Sequence, residues 1–291
     1  MSLLTSKGPP ISDTPYSKAI SCIFDNLLPT RVHGIIELTR LVEAKDPETI
    51  SKKHYVFCLF QDYLKDRDSY VYLSAINGIA ALGTHCSEDV LHVLCKEFLD
   101  ISSEKTDADT EKNQHKISEI RMKIGDTIVK ITKKLGEMAV IHKTTLLNTM
   151  LCGCRDNDPF IRTSAISNLA EIAFILNYRL GSVIYEVLLC IWNIIENDKA
   201  IECRRAAVMV IGSLLKGLGK ETLVQLKENL LPIYRILKSL YQDSNEDPIL
   251  KLHAQIALEE LNDIVDDFLF PKLEIRRNII ISEMKQNIVF K

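Results

Sequence analysis

Apolar residues recur at intervals of three and four along most of the chain, and the stretches that carry this period come in pairs. The first member of each pair runs roughly over 15–28, 48–64, 88–100, 138–152, 179–195 and 221–241. Such a period puts the apolar side chains on one stripe of a helix and leaves polar ones on the opposite side. In FIRTSAISNLAEI, for example, Ile161, Ala165, Leu169 and Ile172 fall on one face. Thr14-Pro15, Asp46-Pro47, Asp158-Pro159 and Asp247-Pro248 mark helix starts. In each, a side-chain oxygen stands ready to accept a free backbone N–H, and a proline follows where its missing N–H costs nothing.

The second members share a finer pattern. An acidic or polar residue is followed six positions later by a usually basic one. A small or apolar residue comes three after that, and another apolar residue four further on. The six copies are Asp25, Arg31, Gly34, Leu38; Asp66, Tyr72, Ala75, Ile79; and His115, Arg121, Ile124, Ile128. They continue as Asp156, Arg162, Ala165, Leu169; Asp198, Arg204, Ala207, Ile211; and Asn245, Lys251, Ala254, Leu258. Anchored on the small residue, the copies are 41, 49, 41, 42 and 47 residues apart. HEAT and armadillo repeats, stacked pairs or triples of helices, run at about 40–47 residues. The expected fold is therefore all-α, a HEAT/armadillo-like α-solenoid of about six helix pairs with no sheet.

The Asp-x5-Arg spacing resembles the HEAT signature itself. The resemblance implies an aspartate in the turn between paired helices and an arginine in the first turn of the second, forming a ladder from repeat to repeat. Asp25, Arg31, Asp156, Arg162, Asp198, Arg204 and Lys251 are its candidate members. Tyr72 and His115 depart from the pattern, so gaps are expected at the second and third repeats. The alternative role for these arginines is to bind an acidic ligand.

Composition narrows the function. The 291 residues are 46% hydrophobic and 26% charged, with a net charge of −3, so no basic surface argues for nucleic acid. Only 11 glycines and 9 prolines punctuate the chain, too few for many tight turns. The stretch MSLLTSKGPPISDTP lacks an apolar signal-peptide core, so the eight cysteines are expected to be reduced, packed thiols. The most apolar stretch, Leu180–Ile195, carries Glu186 and is too short to span about 30 Å of hydrocarbon.

Candidate chemistry is sparse. Cys152 and Cys154 are separated by one residue, whereas zinc sites favour two to four. His85, Cys86, His92 and Cys95 resemble a ligand set in composition, but their spacing fits no zinc-finger pattern. GSLLKGLGK (212–220) has Leu218 where a phosphate-binding loop needs lysine, and its glycines are expected to close a helix. Glu259-Glu260 and Asp266-Asp267 fall on the last repeat's helix as solvated or capping carboxylates. No enzyme and no cofactor are expected.

FIRTSAISNLAEIAFILNYRLGSVIYEVLLCIW (160–192), RRAAVMVIGSLLKGLG (204–219) and KLHAQIALEELNDIVDDFLFP (251–271) resemble the RNA polymerase II assembly factor family, whose animal members are called transport and Golgi organisation protein six homologues. The match covers about 150–271; the first half is similar in its HEAT pattern only. The resemblance implies a non-catalytic cytoplasmic scaffold, shuttling to the nucleus, with polymerase subunits and assembly or import machinery as partners. The alternative it implies is a trafficking factor in secretion and Golgi organisation, peripheral at secretory membranes.

The expected organisation is a leader (1–13), repeats 1–2 with the first helix of repeat 3 (14–100), a charged loop insertion (101–116), the family's C-terminal region (117–271) and a basic, apolar tail (272–291). The tail is open to three readings: capping helix, strand-like docking arm or disordered end. Family members are several times longer, so the chain is expected to be a fragment or a short form that begins inside an array. Tyr16, Ile20, Ile23, Phe24 and Leu27 would then leave apolar surface bare at the first repeat and drive self-association.

Overall fold

The computed structural model describes residues 14–100 and 110–270. The leader 1–13, most of the expected loop insertion (101–109) and the tail 272–291 lie outside the described residues. The described chain forms six helix pairs, with no strand among the described residues. They are α1 (Pro15–Ile23) with α2 (Leu28–Glu43), then α3 (Pro47–Ser51) and α4 (Lys53–Leu64) with α5 (Ser69–Gly83), and α6 (Ser87–Leu99) with α7 (Thr110–Leu135). The series continues as α8 (Lys143–Gly153) with α9 (Pro159–Leu176), α10 (Val183–Asn197) with α11 (Ile201–Leu218), and α12 (Thr222–Gln225) and α13 (Leu230–Gln242) with α14 (Pro248–Leu269).

The four expected caps all form. Thr14, Asp46, Asp158 and Asp247 accept the N–H of Ser17, Thr49, Phe160 and Leu250 at 3.2, 2.9, 2.9 and 2.9 Å. Each of these helices begins with the proline that follows its cap. The wide spacing between the second and third anchors has a helical part: α7 begins at Thr110, inside the stretch read as a loop, and runs for 26 residues.

Within each pair the two helices pack on each other. The second helices also stack in one continuous row, α2–α5–α7–α9–α11–α14. All six anchors lie in that row and all are buried: Gly34, Ala75, Ile124, Ala165, Ala207 and Ala254. A small side chain at a crossing lets the backbones approach. At Gly34 the approach is so close that a Cβ would lie 2.6 Å from Ile23 N and 2.8 Å from Ala19 O. Burial of aliphatic side chains from both members of every pair makes one core that runs the length of the array.

At the first repeat the apolar stripe divides. Tyr16 and Ile23 are buried in the pair's own core, while Phe24 and Leu27 stay 61% and 66% exposed. Self-association through that end would thus rest on Phe24 and Leu27, because Ile23 is already spent on packing against α2.

Candidate protein-binding surface and the ladder beside it

Turns between paired helices are built alike. Asp25, Asp66, Asp156 and Asp198 each accept the N–H two residues on, from Leu27, Asp68, Asp158 and Ala200, at 2.7–2.9 Å. In the sixth turn Asp243 does this for Asn245 at 2.9 Å, so the aspartate's place is taken two residues before the position that spacing had indicated.

From the third repeat onward an arginine of each second helix reaches the acid of the next repeat. Arg121 Nη2 meets Asp156 Oδ2 at 2.5 Å, and its Nε donates to Phe98 O at 2.8 Å. Arg162 holds both oxygens of Asp198 at 2.8 and 2.9 Å. Its Nη1 donates to the carbonyls of Asp156 and Asn157 at 3.0 Å, closing its own turn. Arg204 donates to Ile195 O at 2.8 Å and holds both oxygens of Glu246 at 3.0 and 2.7 Å. Beside it, Arg205 grips Asp247 at 2.8 and 2.6 Å. Two parallel N–H···O bonds to one carboxylate fix both planes, and this is the strong form of the interaction. Burial raises the Asp198 carboxyl, but the Arg162 and Ala200 donors outweigh it and leave the group below its usual range. Hydrogen bonding from Arg205 takes Asp247 down to about 2.

Earlier in the array the same positions are not joined. Arg31 Nε is buried without a hydrogen-bond partner, and Tyr72 stands where an arginine would. Lys123 of the third repeat fills the space: its Nζ lies 4.0 Å from the centre of the Tyr72 ring and donates to Asp66 O at 3.0 Å. Tyr63 Oη donates to Ile23 O at 2.9 Å and ties the second repeat to the first. The expected gap at the third repeat lies only on its His115 side, since Arg121 carries the ladder forward; His115 sets its ring edge-on to Phe160, 6.4 Å between centres. Lys251 is half-buried at the start of α14.

The sequence reading missed Lys123, Glu246 and the Arg205–Asp247 pair. The last had a signal: Arg204–Glu246 and Arg205–Asp247 share one separation of 42 residues, a full repeat.

The row of second helices also forms a groove of about 480 Å³ across α7, α9 and α11, lined by Asp126, Lys130, Lys133, Ser167, Glu171 and Met209. Lys133 and Glu171 pair across it at 2.9 Å. Burial pushes the Asp126 carboxyl up. Such a mixed, polar-edged groove suits a protein segment.

Cys95, Cys154, Cys190 and Cys203 are buried in the packing and Cys22 and Cys86 partly so, whereas Cys58 and Cys152 are exposed, against the expectation that all eight thiols pack. Cys95 is buried beside Thr149, and the Cys86 thiol donates to Leu82 O at 3.3 Å. Cys154 hydrogen-bonds Cys190, which this bond and nearby Arg155 bring down to about 7. Among the described residues no group of three or more His, Cys, Asp or Glu is placed to hold a metal ion. Of the glycines in 212–220, Gly217 packs inside α11 on Phe174 and Gly219 ends that helix with φ +49°.

Stacked pairs, capped by proline and aspartate and joined by an arginine ladder, define an α-solenoid of the HEAT/armadillo class. The crystal structure of Kap121p shares this fold, with a TM-score of 0.54 at 14% identity over 87% of this chain and 24% of that one. Residues 16–138 match the family described as "Required for nuclear transport of RNA pol II C-terminus 1". Transport and Golgi organization protein 6 of Drosophila melanogaster is 31% identical over 248 residues, 85% of this chain. RNA polymerase II assembly factor RTP1 of Saccharomyces cerevisiae is 25% identical over 222 residues, 71% of this chain. The chain belongs to the family of these assembly and Golgi-organization factors. It spans 25% of the fly protein's length and 21% of the yeast protein's. The family match falls on the first half, where the sequence had offered only the HEAT pattern, so the likeness is not confined to 150–271.

Proposed function

We propose that the chain is part of a non-catalytic scaffold that binds other proteins along its row of second helices, in the assembly and nuclear import of RNA polymerase II. The observation that carries this reading is the unbroken α2–α14 row with its groove, in a chain whose relatives include a polymerase assembly factor. Polymerase subunits and their import machinery are the proposed partners, in the cytoplasm with shuttling to the nucleus. A role in secretion and Golgi organisation is the second reading, favoured by the higher identity to the fly protein. Among the described residues no helix is long and apolar enough to cross a membrane, so membrane contact on that reading runs through partners.

Affinity purification of the full-length protein separates the two. Polymerase subunits should dominate on the first reading, and coat or tether proteins on the second. Asp25, Arg31, Asp156, Arg162, Asp198, Arg204 and Lys251 are assigned a structural role instead of a ligand-binding one. On that assignment Arg162→Ala lowers partner capture only in proportion to lost stability. Loss of capture at an unchanged melting temperature would overturn it.

A further inference from the structure

Two thiols from neighbouring repeats meet where α8 ends against α10. Ile184, Val187, Leu188, Ile191 and Ile194 bury one stripe of α10, and Cys190 sits at the rim of that stripe, 8% exposed. Cys154 caps the C-terminus of α8, where its N–H donates to Met150 O at 2.8 Å and its side chain is buried. The turn that carries Asp156 follows directly, so the element that starts one rung of the ladder also fixes Cys154. The two thiols are hydrogen-bonded to each other, and the Arg155 guanidinium reaches Cys190 from the turn. A pocket of about 400 Å³ opens on the pair, with Arg155, Glu186 and Asn193 beside it.

The two thiols are not equivalent. The bond from Cys154 and the charge of Arg155 favour the thiolate of Cys190, which lies at about 7, so about half of it is ionised at neutral pH. The same bond keeps the proton on Cys154, and burial adds to it, so that thiol is raised. A thiolate is the attacking form, and a thiol within reach of it can displace whatever it has picked up. A cation and a carboxylate at the pocket, Arg155 and Glu186, suit a small zwitterionic ligand. Cys203, the third thiol nearby, is engaged with Thr163 Oγ1 at 3.2 Å.

We propose that Cys190 and Cys154 form a thiol-exchange site that reduces a low-molecular-weight peptide disulfide and is itself converted to a disulfide between α8 and α10. The Cys190 thiolate attacks one sulfur of the small disulfide. Its S–S bond breaks, and one half leaves as a thiolate that takes a proton from solvent. Cys154 then loses its proton to solvent and attacks the Cys190 sulfur, expelling the other half, which is protonated in turn. Two protein thiols give up two electrons and two protons, and the small disulfide takes up both as two thiols. The new bond joins repeats four and five in addition to the Arg162–Asp198 pair. The inference is independent of which partners the scaffold binds.

Oxidised glutathione is the probe, added to the full chain with the two exposed thiols replaced, Cys58→Ser and Cys152→Ser. Peptide mass mapping should show Cys154 linked to Cys190, with two glutathiones released for each link formed. Adding Cys154→Ser should stop the reaction at one glutathionyl group, carried by Cys190, whereas Cys190→Ser should leave Cys154 unmodified. Both of those serines are buried, so a second measurement leaves the pair intact. Alkylation of Cys190 by iodoacetamide should rise with a midpoint near pH 7, and Arg155→Gln, at an exposed position, should move that midpoint upward. An unreacted pair would overturn the proposal, as would a glutathionyl group that Cys190 retains with Cys154 present. So would a link from Cys154 to Cys203, or a Cys190 midpoint near 9.0, the value of an ordinary thiol.

Discussion

The two halves of the array solve the same stacking problem with different chemistry. Between repeats three and six every junction carries an arginine held by the next repeat's carboxylate: Arg121 by Asp156, Arg162 by Asp198, Arg204 by Glu246. Between repeats one and three no such pair exists among the described residues. There the junctions rely on the packing of α2 on α5 and α5 on α7, on Tyr63 donating to Ile23 O, on Lys123 reaching back to Asp66 O and the Tyr72 ring, and on the more exposed Lys53–Asp89 and Lys134–Glu43 pairs. A paired charge fixes direction and register but leaves a large penalty if one partner is lost, whereas apolar contact and a single carbonyl bond fail more gently. The second half should therefore be the stiffer and more cooperative part, and the first half the easier to open.

The largest effect should come from Arg121. Its side chain is 3% exposed and serves both Asp156 and Phe98 O, so Arg121→Ala strands a buried carboxylate and should cost about 3 kcal/mol in urea unfolding. Arg162→Ala comes next, at about 1–3 kcal/mol, because its pair is nearer water. Gly34→Ala tests the other half. The added methyl meets α1 backbone at 2.6 Å, so α1 must shift, at roughly 1–2 kcal/mol, with the loss confined to the first repeat in hydrogen exchange.

Acid should act through the same carboxylates. Asp247 titrates at about 2 in the folded chain and near 3.8 when unpaired. A depressed folded value means the stabilisation is whole above the unfolded one. It fades as pH falls from about 4 toward 2. Arg205→Gln removes the donor that depresses Asp247, so the stability-versus-pH curve should flatten in that window. An acid limb unchanged by the substitution would show that the pair has no energetic weight. The smallest effect belongs to Arg31→Met: its buried Nε has no partner to lose, so stability should stay within about 0.5 kcal/mol.

What the sequence made legible was whatever repeats at fixed spacing. The anchors from Gly34 to Ala254 are readable because each crossing needs a small or slim apolar side chain at one register. The caps are readable because cap and proline are adjacent in the chain. Substitutions of one device by another were not. Lys123 replaces an arginine from the far side of the junction, so no offset from Asp66 points to it. The sixth turn is two residues longer, which moves the aspartate's job to Asp243 and hands Arg204 to Glu246; counting from Ala254 lands on Asn245. The groove over Asp126 and Glu171 joins residues from three repeats, and only the stacking brings them together.

Hydrogen exchange of the intact chain at neutral pH tests the division between the halves most directly. Amides of α9 and α11, bracketed by the Arg162–Asp198 and Arg204–Glu246 pairs, should be protected at least ten-fold more than those of α2 and α5, a difference of about 1.4 kcal/mol in opening free energy. Equal protection across both halves, or greater protection in α2 and α5, would contradict the claim that the arginine ladder is what stiffens this solenoid.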